Sequence, residues 1–223
     1  MINFCYDTCL LQPETRPSLQ AGLYGMGAPE GDARVNEDRT VYTIGHSTRS
    51  SEDLIRMLKK EGVQAVCDVR TVPRSSFNPQ FNIDSFPEEL KKAGIEYFHM
   101  KGLGGLRHPE KNSPNTGWHN ASFRGFADYM QTQEFERNMD ALLEIASRRK
   151  AALMCAEAVP WRCHRLLIAD ALTVRGWRVE HIVGVKGLQR HELTAFLKAE
   201  GTKITYPEKE MPAGKPAKEK KKK

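Results

Sequence analysis

The chain contains no run of about 18 apolar residues, so no segment of it suits a membrane-spanning helix. Residues 1–11 lack the basic start and sustained apolar stretch of a secretory signal, and none is expected. Cysteine is sparse: Cys5, Cys9, Cys67, Cys155 and Cys163 are the five in the chain. An odd number, with three of them in or beside apolar segments, argues against a disulfide framework and predicts a reducing, cytosolic setting. Cys5 and Cys9 are separated by Tyr6, Asp7 and Thr8, one residue too many for a C-x-x-C redox motif. No internal repeat is present. The one glycine-rich turn, Gly102-Leu103-Gly104-Gly105, lacks the Lys-Ser/Thr of a phosphate-binding P-loop.

What is present suits one domain with appendages. The 223 residues are 39% hydrophobic and 28% charged, enough for a real core under a wet surface. The formal charge of +6 is uneven: seven Lys and three Glu give residues 206–223 +4, three Arg and six acids give residues 1–39 −3, and +5 remains for residues 40–205. A basic core suits a phosphate-bearing partner, either a small molecule or a nucleic acid, and equally suits ordinary solubility. Residues 1–39 read as a partly disordered N-terminal extension, residues 40–205 as a single α/β domain, and residues 206–223 as a disordered lysine-rich tail.

Between the ends, short apolar runs alternate with helical patterns. Strands are predicted near residues 41–44, 65–69, 97–100, 152–156 and 179–183. Helices are predicted after Ser51, which can cap the first and which Gly62 ends, around Phe86 to Ala93, over residues 123–149, around Leu166 to Leu172, and over residues 189–199. Strands alternating with helices imply right-handed crossovers: an open, mostly parallel α/β sheet of about five strands with helices on both faces.

Ligands of such sheets bind beyond the carboxyl ends of the strands, where this sequence collects its chemistry. The first strand delivers His46 and Ser47; the second Asp68, Arg70 and then Arg74; the third Lys101 and Gly104-Gly105; the fifth Gly184 and Lys186. The fourth delivers Glu157, followed by Pro160, Cys163, His164 and Arg165. Partial burial after the strand would raise the pKa of Glu157, the usual preparation of a general acid or base. A helix opened by Pro160 would turn its first amides, near Cys163 and His164, toward an anion and lower the pKa of Cys163. Asp68 and Arg70 lie on one side of their strand and form an ion pair or an oriented anion clamp. Cys155 reads as a small core residue. With Cys155 facing the core and no standard ligand spacing, a zinc site from Cys155, Cys163, His164 and His46 is not predicted, and no metal or organic cofactor is expected.

Several of these runs, in order, carry a resemblance. Thr43-Ile44-Gly45-His46-Ser47, Asp68-Val69-Arg70 with Pro73 and Ser75, Gly94-Ile95-Glu96-Tyr97, Leu103-Gly104-Gly105, and Cys155-Ala156-Glu157 with Cys163-His164-Arg165 resemble the prokaryotic family catalogued as domain of unknown function 488. The resemblance covers roughly residues 41–185 and implies an α/β fold with a shared pocket built from those motifs. The residues themselves lead to an expectation of hydrolase or lyase chemistry on a phosphate-bearing, nucleotide or nucleic-acid-like substrate. Glu157 would be general acid or base and His46 a second proton-transfer or orienting group. Arg70 and Arg165 would hold the anion, with Ser47, Arg74, Gly104, Gly105 and His164 around them. The alternatives are a thiol enzyme using Cys163 with His164 or His46, and a non-catalytic nucleic-acid-binding module.

Overall fold

The computed structural model describes residues 39–184 and 187–208. The N-terminal extension with Cys5 and Cys9, the lysine run of the tail and Lys186 lie outside the described residues.

Five parallel strands form where the apolar runs predict them: β1 (Thr40–Gly45), β2 (Ala65–Asp68), β3 (Glu96–His99), β4 (Ala151–Cys155) and β5 (Arg178–Gly184). A sixth, β6 (Gly187–Arg190), pairs antiparallel with β5, and the order across the sheet is β3-β2-β4-β1-β5-β6. The central pairing sets Val41 against Ala151 and Gly45 against Cys155, so β1 and β4 end together. Both central strands are buried almost throughout, which is why they read as unbroken apolar runs rather than alternating ones.

Helices cover both faces. On one side α1 (Ser51–Lys60) and α2 (Phe86–Lys92) place Leu54, Leu58, Phe86 and Leu90 against Ile44, Val66, Ala152 and Met154. On the other, α3 (Ala121–Tyr129), α4 (Gln133–Arg148) and α5 (Arg165–Val174) cover Val41, Ala65, Cys67, Leu153 and Cys155. Alternation along each strand therefore sorts its side chains between two cores. The cap of α1 is Ser50 rather than Ser51: its hydroxyl accepts the amide of Asp53 at 3.1 Å, a bond worth about 1 kcal/mol. Gly62 and Gly94 stop α1 and α2 at φ +69° and +78°, values that favour glycine.

Two helical expectations are corrected. Residues 123–149 form two helices, because Thr132 caps α4 by accepting the Phe135 amide while its own hydroxyl donates to the Tyr129 carbonyl. The predicted helix over residues 189–199 is absent. That segment holds β6, an irregular stretch, and β7 (Lys198–Glu200), which pairs with β8 (Lys203–Thr205) in a separate hairpin. Tertiary bonds override its helical pattern: His191 Nε2 meets Asp170 Oδ1 at 2.9 Å, and the Thr194 amide and hydroxyl both donate to Asp170. The packing also runs past residue 205, since Tyr206 is fully buried and its hydroxyl donates to Asp170 at 2.9 Å.

His181 extends this network inward, from His191 (3.1 Å between Nε2 and Nδ1) to the Thr43 hydroxyl (2.8 Å). Burial, then the neighbouring His191 and the Arg165 guanidinium, lowers its pKa to about 3, so the folded protein keeps it neutral. The unfolded chain titrates near 6.5 and takes up a proton that the folded chain refuses. The contribution is thus complete above that value and lost as pH falls through it toward 3. At pH 5 the loss from His181 is about 2 kcal/mol. Urea midpoints at about pH 7.5 and about pH 5 should differ less for His181→Gln than for the parent. Equal shifts in both proteins would refute the assignment.

Candidate active site

The connections that leave adjacent strands β2 and β4 diverge. From β2 the chain runs outward to β3 through α2 on one face; from β4 it crosses β1 to reach β5 through α5 on the other. Divergence of this kind opens a crevice at the carboxyl ends of a parallel sheet. A cavity of about 400 Å³ lies there. Arg70, Thr71 and Val72 after β2, Cys155 to Glu157 after β4, and Arg162 to His164 before α5 line it. Gly105, Leu106, Ser122 and Phe123 close the remaining wall.

Two thiols and an imidazole cluster in the cavity wall. Cys155 Sγ, Cys163 Sγ and a ring nitrogen of His164 all lie within 4.8 Å of one another, and Cys163 Sγ is 3.6 Å from His164 Nδ1. Cys155 is buried in the core, as its sequence context predicts, and it also lines the cavity. It shares the face of Ala151 and Leu153 and, as the last residue of β4, stands where the core meets the cavity. The hydrogen bond between the two thiols raises Cys155 well above the ordinary cysteine range, with burial adding to it. The same bond lowers Cys163 to about 6, aided by the charge and amide of Arg165 and against the effect of burial. His164 Nε2 meets the Val69 carbonyl at 3.1 Å. A carbonyl only accepts, so Nε2 carries the proton and Nδ1 presents its lone pair to the thiols.

Glu157 lines the cavity but is exposed, not partly buried. The strand ends two residues earlier, so Ala156 and Glu157 have already left the sheet. The carboxylate sits at the rim with Arg162, which is also exposed and whose guanidinium pairs with no described residue.

Three other expected site residues lie on the opposite face. Asp68 and Arg70 form a buried ion pair: Nε donates to Oδ1 at 2.9 Å and Nη2 to Oδ2 at 2.6 Å, with Tyr97 Oη donating to Oδ2 at 2.7 Å. Arg70 Nη2 also donates to the Phe81 carbonyl at 2.8 Å, and Nη1 lies 3.2 Å from His46 Nε2. The guanidinium is committed to protein partners, although Arg70 also lines the cavity. His46 is 2% exposed, stacks on Phe81 with ring centroids 4.3 Å apart, and donates from Nδ1 to the Ser47 carbonyl. Burial holds its pKa at about 4, so it is a neutral orienting group for Arg70 and does not shuttle protons near neutral pH. Alternation explains the separation, since residues 44 and 46, and 66, 68 and 70, share the α1–α2 side.

Arg165 does not line the cavity. It is buried beneath the loop after β4, where Nη1 donates to the Thr43 hydroxyl at 3.2 Å and Nη2 to the Glu157 carbonyl at 2.5 Å. The same carbonyl crowds Gly45, where an added Cβ would stand 1.8 Å from it. The glycine of Ile44-Gly45-His46 is thus required by the close approach of the loop that carries Glu157. Ser47, at φ +50°, donates its amide to the Ala156 carbonyl and pins the loop from the β1 side. Pro160 opens a 3-10 turn (Pro160–Arg162), and α5 begins only at Arg165.

Arg74 is exposed and paired with Asp84 at 2.8 Å, away from the cavity. Gly104 and Lys101 line a separate cavity of about 310 Å³. Gly105 packs on His164: a Cβ there would fall 2.3 Å from Nδ1. The site residues missed by the sequence reading are Cys155, Arg162, Thr71 and Phe123. Only Cys155 carried a usable signal, its place at a strand end two residues before Glu157.

Among the described residues no helix is long and apolar enough to cross a membrane. No curated protein and no solved structure matches the chain. The pattern of the family described as Domain of unknown function DUF488 matches residues 50–172, more than half of the 223 residues and most of the cavity-forming segments. The chain therefore belongs to the DUF488 family.

Proposed function

We propose that the protein is an enzyme of hydrolase or lyase type acting on a small phosphate-bearing substrate in the cavity between β2 and β4. One observation carries this reading: a carboxylate and a guanidinium without a partner among the described residues, Glu157 and Arg162, share the rim of a cavity at the carboxyl ends of parallel strands. Its volume, about 400 Å³, falls in the range of small-ligand sites. Arg162 is the group placed to hold an anion, because Arg70, Arg74 and Arg165 are taken by Asp68, Asp84 and the β4–α5 loop. Val72, Leu106 and Phe123 supply apolar wall for the remainder of the ligand. Glu157 takes a proton from the attacking group and returns it to the leaving group, and a bound ligand that excludes water from the rim strengthens both steps.

Full-length protein would be incubated with a panel of nucleotides, phosphomonoesters and phosphodiesters, and products resolved by chromatography. Glu157→Gln should lower turnover by roughly 100-fold or more, the usual contribution of a positioned acid or base, with substrate affinity retained. Undiminished turnover in Glu157→Gln would remove Glu157 from the chemistry.

A further inference from the structure

We propose that Cys155, Cys163 and His164 form a zinc site with three protein ligands and a fourth position open to the cavity. This rests on the reading of that cavity as an active site and names the agent that activates its water. Three features of the site point to a metal.

The first is spacing. Tetrahedral zinc with bonds of about 2.3 Å to sulfur and about 2.0–2.1 Å to nitrogen sets those atoms about 3.5–3.6 Å apart. Cys163 Sγ and His164 Nδ1 stand 3.6 Å apart, and Cys155 Sγ lies within 4.8 Å of both. The second is orientation. Ligating imidazoles usually donate their second N–H to a carboxylate or a backbone carbonyl, which fixes the ring. His164 meets the Val69 carbonyl through Nε2, and Phe126 packs against the ring with centroids 5.1 Å apart. The third is room. Beside Nδ1 stands Gly105, whose missing side chain would fall 2.3 Å from that nitrogen. A methyl group there would occupy the approach to the lone pair.

The donor set selects the ion. Two thiolates and an imidazole suit zinc, and are poor ligands for magnesium, calcium or manganese. Two thiolates neutralise the dication, so the site adds no net charge beside the buried Arg165. Three protein ligands leave the fourth position for water, the arrangement of catalytic rather than structural zinc. In the hydrolytic step the bound water gives one proton to the Glu157 carboxylate, and its oxygen forms a bond to the electrophilic centre of the substrate. The bond from that centre to the leaving group breaks, and the leaving group departs with the proton from Glu157. No oxidant or reductant is needed.

The test uses the full chain carrying Cys5→Ser and Cys9→Ser, so that thiols outside the site do not contribute. Protein grown with zinc and dialysed against metal-free buffer is analysed by elemental mass spectrometry, and its affinity is measured with a chromophoric zinc chelator as competitor. About one zinc per chain is expected. Cys155→Ser, Cys163→Ser and His164→Gln should each weaken binding at least about 10–100-fold, while His108→Gln, at an exposed position, leaves it unchanged. Cobalt loading should give a thiolate charge-transfer band that Cys163→Ser diminishes. Circular dichroism of each variant separates loss of a ligand from loss of fold. Parent protein without stoichiometric zinc, or folded variants that keep parental affinity, overturns the proposal. Failure of the metal and failure of the active-site reading are distinguishable. Zinc bound with Glu157→Gln fully active upholds the metal and removes the acid–base role. No zinc with Glu157-dependent turnover overturns the metal and leaves the paired thiols as nucleophiles.

Discussion

Replacement of Asp170 by alanine is expected to remove about 3–5 kcal/mol of stability and to release the segment after β6 before the rest of the domain unfolds. Asp170 is fully buried in α5 and accepts from four groups: His191 Nε2, the Thr194 amide, the Thr194 hydroxyl and Tyr206 Oη. Alanine removes every acceptor at once and leaves donors that water cannot reach. Each orphaned buried donor costs about 1–3 kcal/mol, with partial relief as the segment loosens. Native-state hydrogen exchange should show protection falling first at His191, Thr194 and Tyr206, with β1 and β4 affected only through global opening. Uniform loss of protection across the sheet would show that these residues belong to one cooperative unit with it.

The second large effect is expected from Asp68→Ala, again about 3–5 kcal/mol, because it leaves the Arg70 guanidinium buried without its counter-charge. Asp68 is fully buried and Arg70 is 7% exposed, so water gives the cation little relief. Tyr97 Oη loses its acceptor as well, and burial together with the Asp68 charge already holds that phenol above its ordinary range as a neutral donor. The double replacement Asp68→Leu with Arg70→Met should recover at least half of the loss in urea unfolding, since a hydrophobic pair of similar volume often matches a buried ion pair. If the double variant is as unstable as Asp68→Ala, the bond from Arg70 to the Phe81 carbonyl, and not the ion pair, holds the β2 loop in place.

The strands were legible because parallel strands buried on both faces leave continuous apolar runs, as in Val41 to Ile44 and Ala151 to Met154. Helix ends were legible through Gly62, Gly94 and Pro87. The C-terminal segment was misread because its helical spacing competes with bonds to Asp170, twenty or more residues away, which no local window contains. The site was legible as a set of strand ends but not as a geometry. Alternation places His46, Asp68 and Arg70 on one face and Cys155 on the other, yet only sheet order reveals which ends converge. Cys155 reads as core by every local measure, and it is core; its thiol also meets Cys163 and His164 because the turn at Pro160–Arg162 brings the chain back to the end of β4.

The order of the strands has a consequence for synthesis on the ribosome. β1 is made first but lies between β4 and β5, so its two neighbours emerge more than a hundred residues later. Until then Val41-Tyr42-Thr43-Ile44 presents two open edges to any other extended chain, a recognised route to aggregation. Residues 50–172 contain neither β1 nor β5, so that stretch leaves β4 without its central partner and does not make up a folding unit. Assembly of the sheet depends on closing long loops around the first strand, and slow folding late in translation follows from that topology.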